Sequence, residues 1–412
     1  MKMKQQQFDC IREQAMRLAA MDTSLYHAKF AGLDLAGMKN QEDFETLPFT
    51  DKADLRQAYP LGLAAVPMEQ VVRIHSSSGT TGTPVIIPYT KKDVEDWAVQ
   101  FARCYEIAGC TPEDRIQITP GYGLWTAGIG FQAGAELLGA MAIPMGPGNT
   151  EKQLTFMRDM GATVLCATSS YALLLTEEIE KRGMRSQLKL KKGVIGSERW
   201  GEKTRRRIRE GLGIELYDIY GLTEIYGPGI GINCAYDCGM HVFDDFCYYE
   251  IIDPDTGKTV PDGQMGELVI TTLRKEGAPL IRFRTHDITR FIPGKCPCGR
   301  DYPRIDVIMG RSDDLFKVKG VNMYPAQVEE ILRAVPGTSS EYQVEICHAD
   351  GKDRMTVSFE TAEPESRYGD LEAQVRTLFK SRLGMTPEAR AVGMGVLPRS
   401  EKKTKRVYDL RG

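Results

Sequence analysis

His75-Ser76-Ser77-Ser78-Gly79-Thr80-Thr81-Gly82-Thr83-Pro84 is a run of hydroxyl residues broken by two glycines. Hydroxyls and unpaired backbone N–H groups in such a run can wrap a polyphosphate. The glycines permit positive φ and let the main chain approach a ligand closely. Val71-Val72-Arg73-Ile74 precedes the run and Val85-Ile86-Ile87 follows it. Both flanks are β-branched and apolar, so the run is expected to be a loop between two strands. It is not the nucleotide loop that ends in Gly-Lys-Ser/Thr and opens a helix, because it contains no lysine and a strand follows. By itself the run would also suit a surface hairpin.

Other stretches carry groups of the same kind. Gly196-Ser197-Glu198 follows an apolar run, and Tyr220-Gly221-Leu222-Thr223-Glu224 ends another. The Tyr220 ring can stack on a purine, Thr223 can bond a phosphate oxygen, and Glu224 can hold Mg²⁺, which prefers carboxylate and phosphate oxygens. Arg282-Phe283-Arg284-Thr285-His286-Asp287 adds an Arg/Asp pattern, and Lys402, Lys403 and Lys405 lie close to the end. Each has an ordinary alternative: a strand end with a helix cap, a surface ion pair, a solvated basic tail.

The chain has 10 cysteines. Most read as buried thiols acting as small hydrophobes. Cys234-Ala235-Tyr236-Asp237-Cys238-Gly239-Met240-His241 and Cys296-Pro297-Cys298-Gly299 stand apart. They resemble two halves of a tetrahedral zinc site with thiolate and imidazole ligands. The candidate set is Cys234, His241, Cys296 and Cys298, with Cys238 as substitute; unligated thiols are the alternative. Four protein ligands would make such a zinc structural.

The elements that must position these groups can be read from pattern. With 412 residues the chain exceeds one ordinary core. Its 42% hydrophobic and 26% charged residues are those of a soluble globular protein, and a net charge of −3 gives no field to recruit nucleic acid. No apolar run approaches bilayer-spanning length, and no apolar signal region follows the basic N-terminus, so a cytoplasmic enzyme with no membrane or nucleic-acid partner is expected. Thr50 reads as the cap of a helix over 51–56. Trp97, Phe101 and Tyr105 mark the buried face of a helix over 91–108. From 115 to 220 strands alternate with helices, which argues for an α/β fold with a mostly parallel sheet and ligands at the carboxyl ends of its strands. From 243 the texture becomes β, with strands expected at 249–253, 266–271 and 287–291. After 310 comes a smaller α+β unit with helices at 325–334 and 370–383.

The motifs together, in their order and spacing, resemble the adenylate-forming superfamily of acyl-CoA synthetases and luciferases. Gly121-Tyr122-Gly123-Leu124-Trp125-Thr126-Ala127-Gly128 and Gly320-Val321-Asn322-Met323-Tyr324-Pro325 narrow the resemblance to the phenylacetate-CoA ligase family, from about residue 47 to the end. The resemblance implies a large N-terminal adenylation domain, 1–311, with a β-rich part at about 243–308, and a small mobile C-terminal lid, 312–412. It implies that Ser76, Ser77, Ser78, Gly79, Thr80, Thr81 and Gly82 cradle the phosphates of ATP. Gly196, Ser197 and Glu198 would lie against the adenine, Tyr220 and Gly221 beside them, and Asp287 on the ribose hydroxyls. Arg311, Lys319 and Gly320 join this nucleotide and coenzyme set, and the hinge falls on Asp313. Lys403 would be the catalytic lysine, with Lys402 as the alternative, acting with Thr223 and the Mg²⁺ ligand Glu224. Some members carry the same Cys/His and Cys-Pro-Cys-Gly elements.

Two departures matter. Trp125 stands where Phe is expected, which bears on the size of the acyl pocket, and Thr83 where many members have Lys. The region 117–150 contains Tyr122, Trp125, Ala127, Phe131, Met141 and Met145 but a single charge, Glu136. A neutral aromatic pocket suits a planar apolar acid; Phe131 and Met141 read instead as sheet core. The function implied is an aryl-acid CoA ligase that uses ATP, Mg²⁺ and coenzyme A, with phenylacetate as substrate and a homodimer allowed. Two rivals stay open: an adenylating synthetase that passes AMP to a deazaflavin without coenzyme A, and a degenerate nucleotide-binding regulator.

Overall fold

The computed structural model describes residues 2–22, 24–77, 83–198, 200–312, 316–318, 321–349, 352–398 and 406–411. Its largest element is an eight-stranded sheet. The order is Arg304–Ile305, Met240–Val242, Gly227–Asn233, Glu215–Leu222, Lys192–Gly196, Val164–Thr168, Arg115–Ile118 and Met141–Pro144. From Glu215–Leu222 to Met141–Pro144 every pairing is parallel. Helices Thr126–Leu138, Thr150–Asp159, Ser169–Lys181 and Glu202–Leu212 make the crossovers. Parallel strands need such connections, and the helices bury both faces of the sheet.

The other part of this sheet is antiparallel. Strand Gly227–Asn233 contains Gly227, Pro228, Gly229 and Gly231, residue types that strands disfavour. Gly227 and Gly229 have φ of +102° and +99°. A Cβ on Gly227 would meet the Trp97 ring at 2.6 Å, and one on Gly229 the Phe101 ring at 2.8 Å. The missing side chains let helix Lys91–Ile107 lay its aromatic face, Trp97, Phe101 and Tyr105, directly on the strand.

Three expectations need correction. Met141 is not core but 52% exposed, because Met141–Pro144 is the edge strand; Phe131 is buried as expected. Helix Lys52–Gln57 is capped by Asp51, whose carboxylate accepts from Ala53 and Asp54 N–H. The Thr50 hydroxyl instead donates to Ile281 O at 2.8 Å. The strand expected at 287–291 runs Phe283–Thr289, so the Arg/Asp motif lies mostly within it, with a register shift and His286 at φ +64°.

That strand belongs to an antiparallel four-stranded sheet, Cys247–Ile252, Gly266–Thr272, Phe283–Thr289 and Gly310–Arg311. Beside it Arg282 Nη2 meets Glu250 Oε1 at 2.9 Å, with both side chains buried. Burial raises the Glu250 pKa and the guanidinium partly reverses this. Arg282→Met would leave the carboxylate without its cation, at a cost of about 3–5 kcal/mol at neutral pH. A carboxyl raised in the folded state favours folding below that raised pKa and loses the advantage as pH rises through it. The variant should therefore regain stability relative to the wild type on acidification from pH 8 toward pH 5 in urea melts. A deficit independent of pH would assign the loss to packing alone.

The C-terminal domain has its own four-stranded sheet, Glu388–Gly393, Lys352–Thr361, Thr338–Ala349 and Val407–Asp409. Helices Pro325–Arg333 and Tyr368–Leu383 cover it through Val328, Ile331, Val375 and Phe379. Among the described residues no helix is long and apolar enough to cross a membrane.

Candidate active site and metal centre

The carboxyl ends of Lys192–Gly196 and Glu215–Leu222 open on a cleft of about 710 Å³. Ser197, Glu198, Tyr220, Gly221, Asp287 and Arg311 all line it. Its far wall is the C-terminal domain, through Glu329, Tyr342 and Arg406. The buried Tyr220 hydroxyl donates to Asp287 Oδ2 at 2.5 Å. Burial pushes the Tyr220 pKa far above the ordinary phenol, with the Asp287 charge adding to this. Arg311 Nη1 stands 3.9 Å from Asp287 Oδ1. Three expected nucleotide residues from distant parts of the sequence thus meet at one point. Ser197 sits at φ +69°, directly after the strand. The Glu198 carboxylate accepts from Ser169 Oγ and Ser170 N–H, both at 3.0 Å, at the start of helix Ser169–Lys181. That gives Glu198 a capping role the sequence did not reveal.

Thr223 and Glu224 form the turn after Tyr220. Thr223 Oγ1 lies 3.3 Å from Thr126 Oγ1, at the first residue of helix Thr126–Leu138. Glu224 is 4% exposed, and Lys52 Nζ approaches its Oε1 at 2.9 Å. The lysine thus supplies a counter-charge to this buried carboxylate. Next to this turn the buried Lys275 ammonium donates to Ile225 O and lies over the Tyr89 and Tyr226 rings. Burial lowers its pKa to about 8. Sequence reasoning missed both lysines, since lysine in a charged stretch reads as surface.

Strands Val71–Ser76 and Ile86–Thr90 pair as an antiparallel hairpin. The base of the hydroxyl loop is closed by Ser77 N–H to Val85 O at 3.0 Å and by Val85 N–H to Ser77 Oγ at 3.1 Å. Ser76 N–H donates to Leu124 O at 2.9 Å, which ties the loop to the Tyr122/Trp125 segment. Ser78, Gly79, Thr80, Thr81, Gly82, Asp313, Lys319, Gly320, Lys402 and Lys403 lie outside the described residues.

In the segment expected to line the acid pocket, Tyr122 is half-buried, Ala127 is intermediate and Trp125 is 45% exposed. The Tyr122 hydroxyl is buried with no hydrogen-bond partner among the described residues. His75, not singled out by sequence, is buried against Tyr89 and Trp97, and desolvation lowers its pKa to about 4.

The cysteine motifs converge at the antiparallel end of the large sheet. Donor atoms of Cys234, His241, Cys296 and Cys298 all lie within 4.8 Å of one another. Cys234 follows strand Gly227–Asn233, and the pairing of Arg304 with His241 brings the 296–298 loop alongside. Cys234 Sγ and Cys296 Sγ are 3.6 Å apart, and Cys298 Sγ is 3.3 Å from His241 Nε2. Thiolates on one zinc at about 2.3 Å stand roughly 3.8 Å apart in a tetrahedron, so the donor set fits that ion. Cys238 Sγ lies 3.3 Å from Cys296 Sγ but accepts from Arg304 Nη1 at 3.0 Å.

A sheet whose parallel strands end on such a cleft fits a nucleotide-handling enzyme, and a family model described as AMP-binding enzyme matches residues 26–273. A second, AMP-binding enzyme C-terminal domain, matches 320–411. Phenylacetate-coenzyme A ligase of Escherichia coli is 41% identical over 406 residues, covering 96% of this chain and 92% of that protein. Phenylacetate-coenzyme A ligase of Thermus thermophilus is 40% identical over 401 residues, covering 92% and 90%. Among solved structures, 2-hydroxyisobutyryl-CoA ligase in the postadenylation state with R3-HIB-AMP superposes with TM-score 0.87 at 26% identity, covering 98% of this chain and 89% of that one. The same ligase in the thioesterification state, with 2-HIB-AMP and CoA, gives 0.71 over the same shares. The chain belongs to the phenylacetate-coenzyme A ligase family of AMP-binding enzymes.

Proposed function

We propose that the protein joins phenylacetate, or a closely similar aryl acid, to coenzyme A at the expense of ATP. A carboxylate oxygen attacks the α-phosphorus, pyrophosphate leaves and an acyl-adenylate forms. The coenzyme A thiol then attacks the acyl carbon, its proton is lost, and AMP leaves. The observation that carries this reading is the convergence of Tyr220, Asp287 and Arg311 in the cleft at the carboxyl edge of the parallel sheet. The relatives, phenylacetate-coenzyme A ligases, support the same activity.

In this reading the cleft binds AMP, with Tyr220 against the base and Asp287 on the ribose. Ser197, Gly196 and Gly221 shape the base site. Ser76 and Ser77 begin the phosphate cradle that continues through Gly82, and Thr223 bonds a phosphate oxygen. Glu224 suits Mg²⁺, because its carboxylate lies at the turn after Tyr220 and hard cations take carboxylate oxygens. Bound there, the ion would neutralise charge on the triphosphate. Preorganised positive charge is the main catalytic resource for this chemistry. Lys403 supplies more of it from the C-terminal domain, whose boundary falls at 311/312 with Asp313 as hinge; Lys319 and Gly320 meet coenzyme A after rotation. Tyr122, Trp125 and Ala127 line the acid's site, where the buried Tyr122 hydroxyl has no partner among the described residues. Cys234, His241, Cys296 and Cys298 would hold a zinc ion, which would tie the antiparallel strands together. The protein acts in the cytoplasm.

AMP release from ATP over a panel of acids tests the reading. Phenylacetate should support release that depends on coenzyme A, with kcat/KM about 100-fold or more above acetate. Adenylation of phenylacetate with no coenzyme A step, or no acid-dependent pyrophosphate, would refute it.

A further inference from the structure

Helix Glu202–Leu212 starts in the large domain at Gly201, which offers no side-chain cap. The positive dipole end of such a helix favours a negative charge. Glu329, from helix Pro325–Arg333 of the C-terminal domain, places Oε1 in the space a Cβ on Gly201 would fill. The reverse contact is made one turn away. Lys203, in the first turn of the same large-domain helix, sends its ammonium to the far end of the C-terminal-domain helix. Its Nζ lies 3.2 Å from Leu332 O, 3.4 Å from Val335 O and 2.6 Å from Thr338 Oγ1, and it also donates to Thr338 O. Carbonyls at a helix end are the favourable place for a cation. Desolvation draws the Lys203 pKa to about 8, so the ammonium is still mostly charged at pH 7. Lys203 thus completes the end of the C-terminal-domain helix, and Glu329 packs against the start of the large-domain helix.

This contact joins the two domains in the arrangement of this structure. That arrangement superposes on 2-hydroxyisobutyryl-CoA ligase better in its postadenylation state than in its thioesterification state. We propose that Lys203 and Glu329 are positioning residues: an interdomain latch that holds the C-terminal domain in the adenylation orientation and opens for thioester formation. The proposal rests on the two-step ligase reading above. Neither residue need touch the reacting atoms. Their contribution is to the population of the domain arrangement from which the C-terminal lysine segment can serve the first step.

The test uses the full chain with Lys203→Met, which keeps the stem and removes the charge, and Glu329→Gln, which approaches the latch from the other side. Acid-dependent ATP–pyrophosphate exchange should fall about tenfold in each. Thioester formation from supplied phenylacetyl-adenylate should stay within about twofold of wild type or rise. Deuterium exchange over 200–206 and 332–340 should quicken in both variants while the melting temperature holds. A merely structural role would lower both half-reactions together, and that result overturns the latch. So would unchanged pyrophosphate exchange in both folded variants. If the wild type itself showed no acid-dependent exchange, the ligase reading would fall, and deuterium exchange alone would decide whether these residues join the domains.

Discussion

Glu224→Gln is expected to lower acid-dependent ATP–pyrophosphate exchange by about 10²–10³-fold. The carboxylate is buried at the turn between Tyr220 and helix Thr126–Leu138, with Lys52 Nζ 2.9 Å from one oxygen. An amide of the same shape keeps the packing and removes the charge that Mg²⁺ would need. It also leaves the Lys52 ammonium without its counter-charge. The loss should be mainly in kcat, because charge on the triphosphate shifts most in the transition state. Raising Mg²⁺ should recover part of it. Thioester formation from supplied acyl-adenylate should change by no more than a few-fold, since no triphosphate takes part. Equal loss in both half-reactions, with the fold intact, would remove Glu224 from the role assigned to it.

Cys296→Ser should have the largest effect on stability. Cys296 is buried, with Cys234 at 3.6 Å and Cys238 at 3.3 Å. A serine oxygen is a poor replacement for a zinc thiolate, and loss of a structural metal is among the few changes that cost several kcal/mol. The melting temperature should drop by roughly 5–10 °C, and zinc content should fall from one per chain toward zero. A strong chelator should reproduce the drop in wild type. Cys238→Ser should keep its zinc, because Arg304 already engages that sulfur. Zinc-free wild type, purified without added metal, would leave the cluster as buried thiols.

The pattern of the chain carried more of the site than of its surroundings. The parallel strands were legible because apolar runs of strand length alternate with helical periods, and their carboxyl ends pointed to Ser197 and Tyr220. Asp287 and Arg311 could be joined to Tyr220 through the family resemblance. Nothing local links them, since their meeting depends on how the four-stranded sheet packs against the large one. The Cys/His set was legible from ligand chemistry and spacing. The strand Gly227–Asn233 was hidden because its glycines serve the aromatic rings above it rather than a turn. Thr50 misled as a cap because Asp51 offers the better acceptor and Thr50 has a buried carbonyl to serve. Met141 misled because hydropathy does not tell an edge strand from a central one. Lys52, Lys203 and Lys275 were invisible for a common reason. A lysine is read as solvated until its acceptors are known, and those acceptors here are carbonyls and a carboxylate distant in the sequence.

The route of one oxygen atom tests the central claim most directly. Phenylacetate labelled with ¹⁸O in its carboxylate is incubated with ATP, Mg²⁺, coenzyme A and the protein, and the nucleotide product is weighed by mass spectrometry. Attack of the carboxylate on the α-phosphorus, followed by cleavage of the acyl–oxygen bond by the thiol, must leave one labelled oxygen in each AMP. Unlabelled AMP, or ADP with the label in inorganic phosphate, would mean that the cleft of Tyr220 and Asp287 does not make an acyl-adenylate.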